Sequence, residues 1–175
     1  MTRTFLTLAI LALATAAHAK EPGGAVLQLA GPNEPGERMV VAGKIWKADG
    51  RHVAGNERVL VYHTDNNGDY GSRPNATAAQ GTRDARLSGW LTTDPEGHFE
   101  VRTIRPGPYR SGDVPAHIHF VLGGSNMEVQ FLDDPRVDAT DRKNASRDGA
   151  LALVRPATKD AKGTWRVSKD FRMPH

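Results

Sequence analysis

The sequence predicts a single all-β domain, an antiparallel β-sandwich with long loops. A chain of 175 residues has the length of one domain. Its 18 glycines and 11 prolines are too many turn formers for a helical bundle, and 38% hydrophobic residues are too many for a disordered chain. Short segments that alternate between apolar and polar residues recur between turn signals, which is typical of sandwiches.

Each predicted strand is bounded by turn-forming residues. Segment 39–46 precedes Ala-Asp-Gly, segment 58–64 precedes Asp-Asn-Asn-Gly, and segments 87–93 and 98–104 flank Asp-Pro-Glu-Gly. Alternation with period two is clear in 58–64 and again in 164–171. No segment shows an apolar stripe of helical period and helical length.

The N-terminus has the pattern of a secretory signal peptide over residues 1–19. Arg3 precedes an apolar stretch, and Ala17-His-Ala19 is a small-x-small cleavage pattern. The apolar stretch is shorter than the ~20 residues that cross a bilayer. We therefore expect an exported, periplasmic or secreted protein without membrane attachment after cleavage. Residues 20–37, rich in Gly and Pro, are predicted to form an extended arm, and 38–175 the sandwich domain.

Composition excludes several classes of function. The chain has no cysteine, which excludes disulfides, thiol nucleophiles and iron–sulfur ligation, so any metal must be held by nitrogen and oxygen. The net charge of +3 comes without a Lys/Arg run, so nucleic acid is not an expected partner. The sequence leaves open whether identical chains form a homo-oligomer.

The strongest local signal for chemistry is His117-Ile-His119. On a strand, residues two apart share a face, so both imidazoles lie side by side while Ile118 faces the other way. An isolated His-x-His is as consistent with two partly exposed, non-ligating strand histidines as with a metal site. The choice between them depends on whether other ligand residues are present. Tyr70 and Tyr109 each follow a turn rather than occupying a strand centre, which favours ligand roles over packing.

These motifs resemble the intradiol ring-cleavage dioxygenases, the protocatechuate and catechol dioxygenase family of non-haem ferric enzymes. The resemblance covers roughly residues 40–135. It is carried by three stretches: Val59-Leu-Val-Tyr-His-Thr-Asp-Asn-Asn-Gly-Asp-Tyr70, Gly89-Trp-Leu-Thr-Thr-Asp-Pro-Glu-Gly-His-Phe-Glu-Val-Arg-Thr-Ile-Arg-Pro-Gly-Pro-Tyr109 and Pro115-Ala-His-Ile-His-Phe120.

The resemblance implies one Fe(III) per chain, held by Tyr70, Tyr109, His117 and His119. Ferric iron is a hard Lewis acid, and two phenolates with one hydroxide would neutralise its charge. The resemblance also implies that Tyr109 acts as a catalytic base, and that O2 cleaves a catechol-type ring between its two hydroxyls to a muconate-type diacid.

The sequence departs from the family pattern at one charged position. The family's arginine three residues before the first histidine is replaced by Val114, which cannot stabilise negative charge on the ring. Arg73, Arg105 and Arg110 are the nearest replacements by sequence. Arg110 is preferred as a catalytic residue because it adjoins Tyr109.

Two other classes of function fit parts of the sequence. The Gly-bounded segment 48–55 before a Val-rich strand also suits a non-catalytic, transthyretin-like binding module. A periplasmic copper or zinc carrier could use His117, His119 and Met127. A red-brown colour separates these classes, because only phenolate bound to Fe(III) would produce it.

Overall fold

The computed structural model describes residues 25–71 and 85–175, so the predicted signal peptide lies outside the described residues. Within them the chain forms eleven strands, one α-helix and one 3₁₀ turn. The strands are β1 (Val26–Gln28), β2 (Arg38–Trp46), β3 (Arg58–His63), β4 (Leu87–Thr92), β5 (His98–Ile104), β6 (His117–Leu122), β7 (Ser125–Phe131), β8 (Val154–Arg155), β9 (Ala157–Lys159), β10 (Trp165–Ser168) and β11 (Phe171–Arg172). The helix α1 spans Ala139–Arg147, and the 3₁₀ turn spans Gly149–Leu151.

The strands form two sheets, which confirms the predicted β-sandwich. One sheet has the order β1-β5-β2-β10-β9, with β11 also paired to β2, and the other has the order β4-β3-β6-β7-β8. The long pairs, such as β2 with β5 and β6 with β7, are antiparallel. The short strands β1, β8, β10 and β11 add parallel pairs, so both sheets are mixed rather than wholly antiparallel.

The core lies between the sheets and is built from the inward residues of the alternating strands. Aliphatic side chains such as Val41, Val61 and Ile118 are fully buried there. The rings of Phe120 and Phe171 pack at a tilt with their centroids 4.6 Å apart, which holds the last strand against β6. Burial of this apolar surface is the main stabilising term available to a chain without disulfides.

Residues 25–37 differ from the expected extended arm. Strand β1 pairs in parallel with β5, and Leu27 and Leu29 pack against the core while Ala30 is fully buried. This part of the predicted arm therefore belongs to the sandwich. The described residues contain no helix long and apolar enough to cross a membrane.

Helix α1 was not predicted because it lacks an apolar stripe. Its sequence is Ala-Thr-Asp-Arg-Lys-Asn-Ala-Ser-Arg, and Ala145 is its only buried residue. The N-terminus is instead fixed by Asp138, whose side chain accepts a hydrogen bond from the backbone N–H of Asp141. The helix therefore depends on a local cap, and a search for apolar periodicity does not detect such a helix.

His63 connects the two sheets through the core. Its Nδ1–H donates to the carbonyl of Thr64 at 2.5 Å, and its Nε2 accepts from the Thr103 hydroxyl on β5 at 2.6 Å. The ring is fully buried, and burial lowers the pKa of His63 to about 4. The neutral ring is therefore the folded form at neutral pH.

Replacing His63 should change how stability depends on pH. The unfolded chain binds a proton at His63 below about pH 6.5, whereas the folded chain binds one only below about pH 4. The free energy of unfolding therefore decreases by roughly 3 kcal/mol as the pH is lowered through this range. We expect His63→Gln to lose about 1–3 kcal/mol at pH 7, through lost hydrogen bonds, and to flatten this slope. Urea unfolding at several pH values measures both effects. The exposed C-terminal His175→Gln is the control, and an unchanged slope in His63→Gln would contradict the assignment.

Candidate metal centre

Strand β6 carries the two histidines on the face that points away from the core. Ile118 and Phe120 face inward and are 0% and 1% exposed. His117 and His119 lie on the opposite face but are also buried, because tyrosine side chains cover them. One short strand thus contributes to the core and to the site at once.

The start of β6 is held by a buried carboxylate. Asp134 accepts hydrogen bonds from the backbone N–H of Ala116 at 2.8 Å and of Arg136 at 2.9 Å. Burial opposes ionisation of this carboxyl, but the two N–H donors and the Arg136 guanidinium outweigh it and lower the pKa of Asp134. The backbone directly before His117 is therefore fixed by a charged, hydrogen-bonded group.

Tyr70 is placed by a tight loop that follows β3. The carboxylate of Asp65 accepts from the backbone N–H groups of Asn67 at 2.8 Å and of Asp69 at 3.1 Å. Gly68 has a φ of +84°, a conformation that a residue without a Cβ adopts at little cost. This Asx-type loop delivers Tyr70 at its end.

The loop that carries Tyr109 packs directly against the loop that carries Tyr70. The Gly107 N–H donates to the Asp65 carbonyl at 2.8 Å. A Cβ on Gly107 would lie 2.6 Å from the Asn66 oxygen, and one on Gly68 would lie 2.0 Å from the Pro108 oxygen. The two loops can approach this closely only because both positions are glycine.

The structure brings all four predicted ligand residues together. The Tyr70 hydroxyl is in hydrogen-bond contact with the Tyr109 hydroxyl and lies 3.0 Å from His119 Nε2. His117 Nε2 lies 3.2 Å from the Tyr109 hydroxyl and 2.9 Å from His119 Nε2. Two phenol oxygens and two imidazole nitrogens therefore face one point.

The partners of His117 define where its proton lies. Its Nδ1 is 2.7 Å from the Pro115 carbonyl, which can only accept, so Nδ1 carries the hydrogen. The Nε2 atom, which faces the phenols and His119, then presents a lone pair. This is the tautomer that a metal-binding histidine requires.

Burial favours the neutral form of the other three side chains. Burial and the contact with Tyr109 raise the pKa of Tyr70, and burial raises the pKa of Tyr109. Burial and the neighbouring His117 lower the pKa of His119 to about 4. Among the described residues, no Lys or Arg side chain is hydrogen-bonded to any of these four electron-rich atoms.

The arrangement fits a single metal ion. Ligand atoms about 2.1 Å from one metal lie about 3 Å apart in adjacent coordination positions, and the separations that involve imidazole nitrogen are 2.9–3.2 Å. Phenolate oxygen and imidazole nitrogen suit a hard or intermediate cation such as iron. A bound cation also stabilises phenolates that burial disfavours.

Two neighbours of the cluster were missed from the sequence. Tyr62, on strand β3, stacks on His119 with ring centroids 4.5 Å apart. Glu128 lies opposite His119 in the β6–β7 pairing, and His117, His119 and Glu128 offer ligand atoms within 4.8 Å of one another. The Gly123-Gly124 turn could have predicted this, because counting back from a two-residue hairpin turn pairs His119 with Glu128.

The three candidate arginines lie in different surroundings. Arg110 is exposed and forms an ion pair with Asp69, which joins the two tyrosine loops. Arg105 stacks on Trp165, with its guanidinium carbon 4.5 Å from the ring centroid. Arg73 lies outside the described residues.

Met127 is not available as a third ligand for a copper or zinc carrier. It pairs with Phe120 across the hairpin and packs against the core, on the face of the sheet opposite His117 and His119. The expectation that it joins the histidines is wrong because strand alternation directs it inward.

The fold and the cluster together define a class: a β-sandwich protein with two tyrosines and two histidines converging at one end of a sheet. Comparison with known proteins agrees with this class. The family model Dioxygenase_C, described as "Dioxygenase", matches residues 13–173. The chain therefore belongs to the intradiol dioxygenase family.

Individual relatives are only moderately similar. The chain is 31% identical to the catechol 1,2-dioxygenase of Acinetobacter baylyi over 60% of this chain and 39% of the relative. It is 34% identical to the protocatechuate 3,4-dioxygenase beta chain of Burkholderia cepacia over 57% and 47%. The dioxygenase domain of a carbohydrate-binding fusion protein from Streptomyces sp. SirexAA-E shares the fold, with a TM-score of 0.60 and 20% identity over 91% of this chain and 94% of that domain. The matched region spans less than half the length of the Acinetobacter and Burkholderia enzymes.

Proposed function

We propose that the protein is a ferric, non-haem dioxygenase that cleaves a catechol-type ring between its two hydroxyl-bearing carbons. The convergence of the Tyr70, Tyr109, His117 and His119 donor atoms carries this proposal. Family membership and the names of the relatives support the same chemistry. The reaction balances without a further reductant: catechol gains both atoms of O2, one carbon–carbon bond breaks, and a muconate-type diacid forms.

The four side chains divide the work of holding the iron. Tyr70 and Tyr109 supply anionic oxygens, and His117 and His119 supply neutral nitrogens. When bound, Fe(III) would supply a Lewis acid that chelates the catechol and draws electron density through its oxygens. His117 stays fixed because its Nδ1–H is bound to the Pro115 carbonyl.

Tyr109 is the proton acceptor in this proposal. It lies in a loop rather than in a strand, and its phenol oxygen is in contact with the Tyr70 hydroxyl. A tyrosinate that leaves the cluster can take the proton of one catechol hydroxyl at Oη. Tyr70, at the end of the Asp65 loop and packed near Leu60 and Tyr62, is the phenol that stays.

The metal ligands can be tested by colour and iron retention. We expect the full chain loaded with Fe(III) to show a visible phenolate band. His117→Ala should abolish iron retention, whereas Tyr109→Phe should keep some iron and shift the band. The exposed His98→Ala serves as the control, with iron content and absorption as the measurements. If Tyr70→Phe and Tyr109→Phe both kept the wild-type spectrum, the ligand set would be wrong.

A second test concerns charge near the substrate. Val114 cannot donate a hydrogen bond, and a missing charge-stabilising donor costs about 3–4 kcal/mol of barrier. We expect Val114→Arg to raise catechol turnover and Arg110→Ala to lower it at least tenfold while the visible band persists. The exposed Arg147→Ala is the control. Full turnover in a coloured Arg110→Ala protein would remove Arg110 from the mechanism.

Export is a separate proposal, motivated by the signal-like residues 1–19. Mass spectrometry of the protein from its native host should show a mature chain that begins near Lys20. Recovery of intact Met1 in the soluble cytoplasmic fraction would contradict export.

A further inference from the structure

The two histidines of the cluster differ on the side that faces away from the phenols. His117 Nδ1 donates to the Pro115 carbonyl at 2.7 Å. Within the described residues, the buried His119 Nδ1 has no well-aligned hydrogen-bond partner. A buried imidazole N–H without an acceptor is costly, so this atom requires a partner that lies nearby.

Glu128 is the group placed to serve His119. The β6–β7 hairpin sets the two residues directly opposite each other, and Glu128 Oε2 lies 3.8 Å from His119 Nδ1. The other carboxylate oxygen accepts from the Gln130 side-chain amide at 2.8 Å, which keeps the carboxylate on this face of the sheet. Closing the gap to a hydrogen bond of about 2.9 Å requires a shift of about 1 Å.

We propose that Glu128 is a positioning residue that fixes the Nδ1–H tautomer of His119 and strengthens its Nε2 as a metal ligand. The inference rests on the proposed iron site, but the tautomer is a property of the protein itself. With the proton on Nδ1, the lone pair of Nε2 faces Tyr70 and His117. A carboxylate behind a ligating imidazole raises its basicity more than a backbone carbonyl does. His119 is thereby the stronger nitrogen donor of the pair.

Asn126 is the alternative partner on the same face of β7. Its side chain interacts with the His119 ring as a hydrogen-bonding group and opposes the lowering of the His119 pKa by burial, but it is poorly aligned with Nδ1. Its amide carries no charge and the residue is exposed. Asn126→Ala therefore tests the competing acceptor: a shift towards Nε2–H in this variant would assign the role to Asn126 and overturn the proposal for Glu128.

The first measurement uses the metal-free full chain. Nitrogen-15 NMR of labelled histidine reports which ring nitrogen carries the proton. We expect Nδ1–H at His119 in the wild type and in Asn126→Ala, and a shift towards Nε2–H in Glu128→Leu, because the acceptor for Nδ1 is lost. Glu128→Gln should largely retain Nδ1–H, since the amide oxygen still accepts. The same tautomer in Glu128→Leu as in the wild type would overturn the proposal.

The second measurement uses the Fe(III)-loaded protein. We expect Glu128→Leu to lose iron to a chelator 10–100-fold faster than the wild type. Glu128→Gln should recover most of the retention. Both variants should move the visible band to longer wavelength, because a weaker His119 leaves the iron more electron-poor. A coloured Glu128→Leu protein with unchanged band and retention would overturn the role of Glu128, whereas a wild type that binds no iron would overturn the proposed function and leave the NMR result to decide Glu128.

Discussion

The close approach of two loops at Gly68 and Gly107 is the constraint on which the site depends. Tyr70 and Tyr109 come from stretches of chain 39 residues apart, and neither is held by the ladder of a strand. Their hydroxyls meet because the loop backbones touch, with the Gly107 N–H bound to the Asp65 carbonyl. Any side chain at either glycine would occupy the space of the other loop. The relative position of the two phenols is therefore determined by the packing of the loop backbones that carry them.

Strand β6 adds the second half of the constraint, because its two faces serve two purposes. The inward residues pack in the core, and the outward histidines are buried under tyrosines. A change in the core beneath β6 would move His117 and His119 together, since interiors are close-packed and transmit displacement. The neutral His63 on β3, the strand next to β6, accepts a hydrogen bond from Thr103 on β5 and so holds the two sheets together. Stability of the sandwich and geometry of the site are thus coupled through the same strands.

Sequence reasoning located the parts of the molecule that local chemistry encodes. Strands bounded by Asn-Gly and Asp-Pro-Glu-Gly turns were predictable because alternation and turn formers are local signals. The pairing of β1 with β5 was not, since it depends on a parallel contact between segments far apart in sequence. Helix α1 could not be predicted from apolar periodicity, because it is defined by its N-terminal cap at Asp138 and not by an apolar stripe. The ligand residues were found through their motif, whereas Glu128 required the register of the hairpin, which alone sets it beside His119.

The charges around the cluster favour a highly charged cation over a weakly charged one. Two phenol oxygens face the centre, and the Glu128 carboxylate lies behind His119. Coulomb attraction is proportional to the charge of the ion. Because the site is buried, water screens this attraction less than it would at the surface, so the difference between a trivalent and a divalent ion is larger. A trivalent ion is therefore attracted more strongly by these groups than a divalent one, and this attraction is the electrostatic argument behind the proposed ferric state.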